Sequence, residues 1–177
     1  MTKPALTYLR QKKTLRSFTL VELLAVITII GILAGLTLGA AGAVRRHAAT
    51  SQAQSQIAAL QAACDRYFAD NNSYPTNVTV DPNSSYTPSA YTTAGQTLFT
   101  ALFGTNQYNR PPALKCYFQP KPQMVSSTTG INPYFVDPWN NPYGYNSDGT
   151  YAPLIWSTAG STNSSGTNKW ITSWPKM

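Results

Sequence analysis

The feature that most constrains this chain is an apolar run that contains a single acid. Residues 18–44 read FTLVELLAVITIIGILAGLTLGAAGAV, and Glu22 is both their only charged residue and the only glutamate in the chain. As a helix, the uncharged stretch Leu23–Val44 would be about 33 Å long, enough to cross a bilayer core of about 30 Å. A carboxylate at the centre of such a span costs about 2.5–3.5 kcal/mol, and less near an end, so Glu22 is a candidate functional residue.

Positive charge is concentrated before this run. Five of the 13 Lys and Arg residues lie in residues 1–17, and without them eight basic and six acidic residues remain. The overall charge therefore reflects a basic leader, and no basic patch with interleaved aromatic residues indicates nucleic-acid binding. Basic residues before a span favour a cytoplasmic N-terminus and an outward C-terminal body, although Arg45 and Arg46 on the far side oppose that orientation.

Three interpretations fit a basic leader followed by an apolar run. A secretory signal peptide would be cut at the small-residue site 41–43, but such peptides have an apolar region of about 7–15 residues, and this one is much longer and carries an acid. A plain signal anchor that holds an unrelated binding domain explains the length and the orientation, but it leaves Glu22 without a role. The third interpretation, a processed assembly signal, depends on residues 16–24.

Residues 16–24, RSFTLVELL, closely resemble the class III leader of type IV pilins and type II secretion pseudopilins. The resemblance implies that prepilin peptidase cuts between Ser17 and Phe18 and methylates the new amine of Phe18. It also implies that Glu22 approaches the N-terminal amine of a neighbouring subunit during filament assembly, where the two charges relieve each other's desolvation. Ser17 departs from the family, which nearly always has Gly before the cut.

Small residues on one face of the apolar run predict close packing between helices. Gly31, Gly35 and Gly39 are spaced by four, as in the small-xxx-small contacts of membrane helices. Many members of the resembled family have Pro near the position of Gly39, so a local unwinding of the helix is less strongly imposed in this chain.

The helical pattern continues beyond the apolar run. Residues 47–70 contain no Gly or Pro. An apolar stripe recurs there at spacings of three and four, formed by Ile57, Leu60, Cys64 and Tyr67. This pattern predicts an amphipathic helix. We therefore expect one helix from Phe18 to about Asn71, ended by the segment NNSYP at 71–75.

The C-terminal third predicts a small antiparallel sheet within residues 143–174. Residues 137–143, DPWNNPY, closely resemble the DPWGNPY segment of the type II secretion major pseudopilins and predict a tight turn before a strand. The predicted strands are Tyr143–Tyr145, Tyr151–Ser157 and Lys169–Trp174, with a turn at 146–149.

Between the long helix and the sheet, the sequence predicts shorter elements. Residues 76–93 are rich in Thr, Ser, Asn and Pro and are expected to form a loop. Gln96–Phe103 reads as a short helix that turns Leu98, Phe99 and Leu102 towards a core. Leu114–Phe118 is a candidate edge strand in a segment punctuated by prolines.

Together these elements predict an α+β chain with a pilin-like architecture, in which a long N-terminal helix packs on a small C-terminal antiparallel sheet. We expect a basic prepilin leader at 1–17, a transmembrane and assembly helix at 18–44, an amphipathic continuation at 45–72 and a periplasmic globular domain at 73–177. The sheet would bury the apolar stripe of the amphipathic half.

No sequence pattern indicates catalysis or a catalytic metal. The single histidine, His47, follows two arginines, and Asp137 and Asp148 stand in Asp-Pro and Asp-Gly turn sequences. We therefore expect a structural protein with no catalytic residues. The two cysteines, Cys64 and Cys116, allow either one disulfide or two separate thiols, and the sequence leaves both states open.

The resemblance also implies a calcium ion in the loop before the last strand, bound by acidic side chains and carbonyl groups. The corresponding loop 157–170, STAGSTNSSGTNKW, has no Asp or Glu and contains Lys169. Calcium prefers several oxygen ligands that usually include carboxylates, so Asn163, Asn168 and backbone oxygens would bind it only weakly. We expect no calcium site of the family's kind and no other cofactor.

The function that the resemblance implies is a structural filament subunit, a pseudopilin of a type II secretion-like system that helps to export folded proteins across the outer membrane. The expected partners are other copies of the chain, other pseudopilins, prepilin peptidase, the inner-membrane assembly platform and the membrane, but not nucleic acid. The expected location is the inner membrane, with a cytoplasmic N-terminus and a periplasmic domain. The alternatives are a pilin or minor pilin of a type IV pilus, which serves adhesion, motility or DNA uptake, and a signal-anchored binding domain that does not assemble.

Overall fold

The structure is a computed structural model that describes residues 18–175, without the side chains of residues 37–41. The predicted leader at 1–17, including Ser17, lies outside the described residues, and so does the packing predicted for Gly39. The chain divides into two compact units, Met1–Ala43 and Val44–Met177.

One long helix, α1, spans Leu20–Asn71. It begins two residues after the predicted start and ends where the sequence predicts. Its last turn closes when the Asn72 N–H donates to the Phe68 carbonyl at 2.7 Å, and Asn72 takes a left-handed backbone conformation with φ 54°. Asparagine tolerates that conformation better than most residues, so the NNSYP segment ends the helix as expected. Between residues 18 and 175, no helix is both long enough and apolar enough to cross a membrane.

The second unit contains a second α-helix. α2 spans Thr92–Phe103, which confirms the predicted short helix but starts it four residues earlier, after a 3₁₀ turn at Pro88–Tyr91. The predicted core residues Leu98, Phe99 and Leu102 are all fully buried. Two further 3₁₀ turns lie at Pro122–Met124 and Ser164–Lys169.

A three-stranded antiparallel sheet with the order β1-β2-β3 completes the second unit. Its strands are β1 Gly144–Asn146, β2 Leu154–Ser157 and β3 Ile171–Thr172. The three strands lie in the predicted region, but β1 is shifted by one residue, β2 starts three residues late and β3 has two of the six predicted residues, with Lys169 in a 3₁₀ turn. The Asp148 carboxylate accepts the N–H groups of Thr150 and Tyr151, and Pro153 has no N–H to offer a ladder.

The core of the second unit lies between the apolar stripe of α1, helix α2 and the sheet. Of the predicted stripe, Ile57, Leu60 and Cys64 leave at most 3% of their surface exposed, which confirms their burial, whereas Tyr67 is only partly buried against the core. Trp156 on β2 is fully buried, and its ring stacks on that of Trp170 with 6.3 Å between the centroids. Two buried tyrosines also tie the sheet to other elements: the Tyr143 hydroxyl donates to Gln56 Oε1 at 2.6 Å, and the Tyr145 hydroxyl donates to the Pro75 carbonyl at 2.5 Å.

The prediction of an edge strand at Leu114–Phe118 is wrong. The segment forms no strand; instead the N–H groups of Tyr117 and Phe118 both donate to the Leu102 carbonyl, at 2.8 and 3.0 Å. The last carbonyls of a helix have no partner inside it. The need to satisfy the end of α2 therefore determines the course of this short apolar segment.

The two cysteines are separate thiols, Cys64 buried in the core and Cys116 exposed. Burial raises the pKa of the Cys64 thiol to about 12, and the charge of neighbouring Asp65 adds to the shift. Because the thiolate is the reactive form, a pKa this high indicates that Cys64 serves as a core residue rather than as a reactive thiol.

Candidate assembly and processing segment

The described part of the predicted processing site is the start of α1. Thr19 immediately precedes the helix, and its carbonyl accepts the Leu23 N–H, so Thr19 is the N-cap residue and Glu22 is the third residue of the helix. The Thr19 N–H and hydroxyl donate to Glu22 Oε2 at 2.9 and 2.8 Å. In return, the Glu22 N–H donates to the Thr19 hydroxyl oxygen at 3.3 Å. This reciprocal pair is a capping box, which satisfies N–H groups that the helix cannot satisfy itself.

Thr19 is a partner of Glu22 that the sequence interpretation missed. The signal was present, because Thr-x-x-Glu before an apolar run is the sequence pattern of a capping box. Both donors of Thr19 are neutral, so the cap orients the carboxylate without neutralising its charge. A cationic partner is still needed if Glu22 enters a medium that solvates charge poorly.

The apolar side chains around this acid are exposed in the first unit. Phe18 leaves 71% of its surface exposed and Leu20 leaves 79%. The other exposed large apolar residues of this stretch are Val21, Leu23, Leu24, Val26, Ile27, Ile29, Ile30, Ile32, Leu33 and Leu36. A helix that is apolar on all sides is normally surrounded by lipid or by protein.

The predicted packing glycines stand in open space within the single chain. A Cβ atom built on Gly31 or Gly35 would meet nothing within 4 Å. Neither residue is therefore required as glycine by the fold of the monomer. Their role in packing against a neighbouring helix stays a prediction.

Asp137 and Asp148, which the sequence places in turns, accept backbone N–H groups in the structure. Asp137 is buried, and its Oδ1 accepts the N–H groups of Trp139 and Asn141 at 3.0 and 2.9 Å. Burial raises the pKa of Asp137, and these bonds together with a hydrogen bond from the Ser157 hydroxyl partly offset the rise. Asp148 is exposed, and the backbone N–H groups that it accepts lower its pKa. The turn interpretation is confirmed for both residues.

Over residues 18–175, no group of three or more His, Cys, Asp or Glu side chains is placed to hold a metal ion. His47 is exposed on α1, as the sequence predicts. One groove of the second unit, of about 710 Å³, is lined by apolar surface together with hydroxyl and amide side chains, and its lining residue Lys115 pairs with Asp70.

An apolar, acid-bearing helix start and a unit in which a small antiparallel sheet packs on the later part of the same helix define a pilin-like subunit. The family described as the Prokaryotic N-terminal methylation motif matches residues 13–38. Relatives named type II secretion system core protein G match over most of the chain. The protein of Aeromonas hydrophila is 32% identical over 93% of this chain and 95% of its own length.

Two further proteins of the same name extend this comparison. That of Pseudomonas aeruginosa is 28% identical over 81% of this chain and 82% of its own length. That of Pectobacterium carotovorum subsp. carotovorum is 27% identical over 90% of this chain and 84% of its own length. No solved structure matches the chain. The chain belongs to the type II secretion system core protein G family, the major pseudopilins.

Proposed function

We propose that this chain is a pseudopilin, a filament subunit of a type II secretion system that helps to export folded proteins across the outer membrane. Its membership of the core protein G family carries the proposal. The structure supports it with an apolar helix start that has no cover in its own unit and with a folded domain that contains its own core. A protein with this division is suited to assemble through its helix and to display its domain.

The proposal includes a membrane-bound precursor. The basic leader keeps the N-terminus in the cytoplasm, residues 18–44 hold the chain in the inner membrane, and the folded unit lies in the periplasm. Prepilin peptidase cuts between Ser17 and Phe18 and methylates the new amine. The match to an N-terminal methylation motif and the exposed apolar surface of residues 18–36 support these steps.

Assembly then replaces lipid contacts by contacts between helices. Lipid tails are as apolar as leucine, so burial of apolar surface alone gives little driving force, and close packing and polar contacts decide the association. Gly31 and Gly35 leave space for a neighbouring helix, and the amine of Phe18 on one subunit supplies the positive charge that Thr19 cannot give to Glu22. The partners are other copies of this chain, other pseudopilins and the inner-membrane assembly platform.

We propose a structural rather than a catalytic role for the folded unit. In the groove of about 710 Å³, the charged lining residue Lys115 pairs with Asp70, and the remaining polar groups are amides, threonine hydroxyls and two tyrosines. Neither a nucleophile with an adjacent base nor a pair of carboxylates lines this groove. The chain is a substrate of a processing enzyme in this proposal.

The charge of Glu22 can be tested separately from its cap. Glutamine completes a capping box as well as glutamate does, so Glu22→Gln keeps the helix start and removes only the negative charge. We expect this variant to insert in the membrane and to keep a folded domain, but to lose at least about nine-tenths of the filaments sheared from cells, which corresponds to about 1.4 kcal/mol. The measurement is quantitative immunoblotting of the sheared and membrane fractions.

The matched control is Thr28→Val, which removes a hydroxyl that bonds to the Leu24 carbonyl in the same helix without changing charge. It should assemble like the unmodified chain. Wild-type filament yield from Glu22→Gln would show that the cap alone is needed, and would refute the charge pairing.

Processing is tested by mass spectrometry of the mature N-terminus. A chain that begins at Phe18 and carries one methyl group on its amine supports the proposal. The signal-anchored binding domain is supported instead if the leader is intact and crosslinking of the chain yields only monomers. A type IV pilus role would be supported if filament formation required a retraction ATPase system rather than a secretin and a cargo-exporting ATPase.

A further inference from the structure

We infer that the loop between β2 and β3 is held by a buried hydrogen-bond chain to Asp137 and by glycine contacts, and that it needs no calcium ion. The chain of bonds, called the Asp137 clasp here, consists of Asp137, Ser157 and Ala159. The Ala159 N–H donates to Ser157 Oγ at 3.0 Å, and the Ser157 hydroxyl donates to Asp137 Oδ2 at 2.5 Å. The clasp joins the turn before β1 to the first residues of the loop.

Burial makes this clasp strong. Asp137 leaves 3% of its surface exposed and Ser157 leaves none. Hydrogen bonds to a carboxylate are about twice as strong as bonds between neutral groups, and a buried carboxylate that loses a donor pays a desolvation cost. Since Asp137 Oδ1 also accepts the N–H groups of Trp139 and Asn141, the carboxylate fixes its own turn and the loop at the same time.

Glycine contacts hold the rest of the loop. Ala159 and Gly160 are consecutive left-handed residues, with φ 51° and 80°, and a Cβ atom on Gly160 would lie 3.1 Å from Cδ1 of Trp139. The loop therefore folds directly onto the turn that carries Asp137. Further along, a Cβ atom on Gly166 would lie 1.7 Å from Ser161 Oγ, so this close approach requires glycine.

The donor groups of the loop do not fit the calcium ion that the family resemblance implies. The carboxylate that reaches the loop, Asp137, already accepts three donors from the protein. Thr158 Oγ1 is buried and has no hydrogen-bond partner among the described residues, but it is a neutral oxygen. Lys169 adds a positive charge at the end of the loop. To gain the Asp137 carboxylate as a negatively charged ligand, calcium would have to displace the N–H groups of the turn from that carboxylate.

The first test compares the unmodified full-length chain, purified in detergent, in excess calcium and in excess EGTA. A ligand that binds only the folded state raises the unfolding temperature as its concentration rises. We expect the same thermal midpoint by tryptophan fluorescence in both buffers, and the same rate of trypsin cleavage after Lys169. A midpoint that rises with calcium concentration, or a loop that calcium protects from trypsin, would overturn the inference.

The second test breaks the clasp. Ser157→Ala removes one donor from the buried carboxylate and the acceptor of the Ala159 N–H, so the thermal midpoint should fall by roughly 4–8 °C and cleavage after Lys169 should become faster. The matched control Ser165→Ala changes an exposed serine of the same loop and should alter neither readout. If the two variants behave alike, the clasp does not hold the loop.

A double-mutant cycle separates the clasp from a general loss of packing. Asp137→Ala and Ser157→Ala should be strongly non-additive, because either change alone removes one partner of the same bond. Additive effects on the thermal midpoint would show that the two residues act independently, and would also contradict the inference.

Discussion

Two stretches of helix α1 differ in what covers their apolar side chains. In residues 18–36, the large apolar side chains leave between 46% and 79% of their surface exposed. In residues 53–64, the apolar stripe leaves at most 3% exposed, because α2 and the sheet pack on it. One helix therefore carries both an apolar stripe that its own unit covers and an apolar surface that the described residues of the first unit leave exposed.

The difference shows what each stretch encodes. The stripe at 53–64 has a polar face and an apolar face, which specify a fold within one chain. The stretch at 18–36 is apolar on all sides and has a single oriented charge, which specifies very little within one chain. The sequence of this stretch suits contacts with lipid or with other chains. Substitutions there should therefore affect assembly rather than the stability of the folded unit.

The largest effect on stability is expected from Leu60→Ala, compared with Leu24→Ala as its counterpart in the exposed stretch. Leu60 is fully buried, whereas Leu24 leaves 56% of its surface exposed. Removal of a buried leucine costs about 2–5 kcal/mol because a cavity remains, whereas surface changes stay within about 0.5 kcal/mol. Urea unfolding of the full-length chain in detergent, followed by tryptophan fluorescence, measures both. Equal losses would mean that the exposed stretch contributes to the folded unit.

The sequence predicts those parts of the molecule that depend on local patterns. Both α-helices follow from apolar spacing, and the position of the sheet follows from the turn at 137–143. The course of residues 114–118 could not be predicted, because it depends on the carbonyl of Leu102, which is close in space and 12 or more residues away in sequence.

The candidate sites show the same division. The position of Glu22 is read directly from the sequence, and its cap by Thr19 was readable because the two residues are three apart. The Asp137–Ser157 bond joins residues 20 apart, and neither a turn pattern nor a strand pattern encodes such a pair. Contacts of this kind are known only once the chain is folded.

A smaller effect is expected from Gly144→Ala, compared with Gly35→Ala. A Cβ atom on Gly144 would lie 2.0 Å from Cε2 of Trp156, whereas one on Gly35 would meet nothing within 4 Å. Overpacking of a core costs about 1–3 kcal/mol, and this overlap is severe enough to predict the upper end. Gly35→Ala should leave urea unfolding unchanged and should lower filament yield. A destabilised Gly35→Ala monomer would contradict the open surroundings of that glycine.

The smallest effect concerns pH and the buried thiol of the covered stretch. Burial raises the pKa of Cys64 from 9.0 to about 12, so the folded state keeps the proton where the unfolded state loses it. The contribution of Cys64 to stability is therefore full below pH 9 and falls as the pH rises towards the folded value, by about 1.4 kcal/mol between about pH 8 and about pH 10. Burial also raises the pKa of Tyr74, Tyr91, Tyr143 and Tyr145, so these residues add to the loss towards pH 10. Urea unfolding at several pH values measures this slope.

Two cysteine variants assign that slope to burial. Cys64→Ala should lower stability at every pH, because it leaves a small cavity, but it should reduce the loss between about pH 8 and about pH 10 by about 1.4 kcal/mol and leave the part due to the buried tyrosines. Cys116→Ala removes the exposed thiol and should keep the slope of the unmodified chain. If Cys64→Ala kept the full slope, the Cys64 thiol would ionise at about the same pH in the folded and unfolded states. The stripe at 53–64 would then be open to solvent, contrary to the contrast drawn between it and residues 18–36.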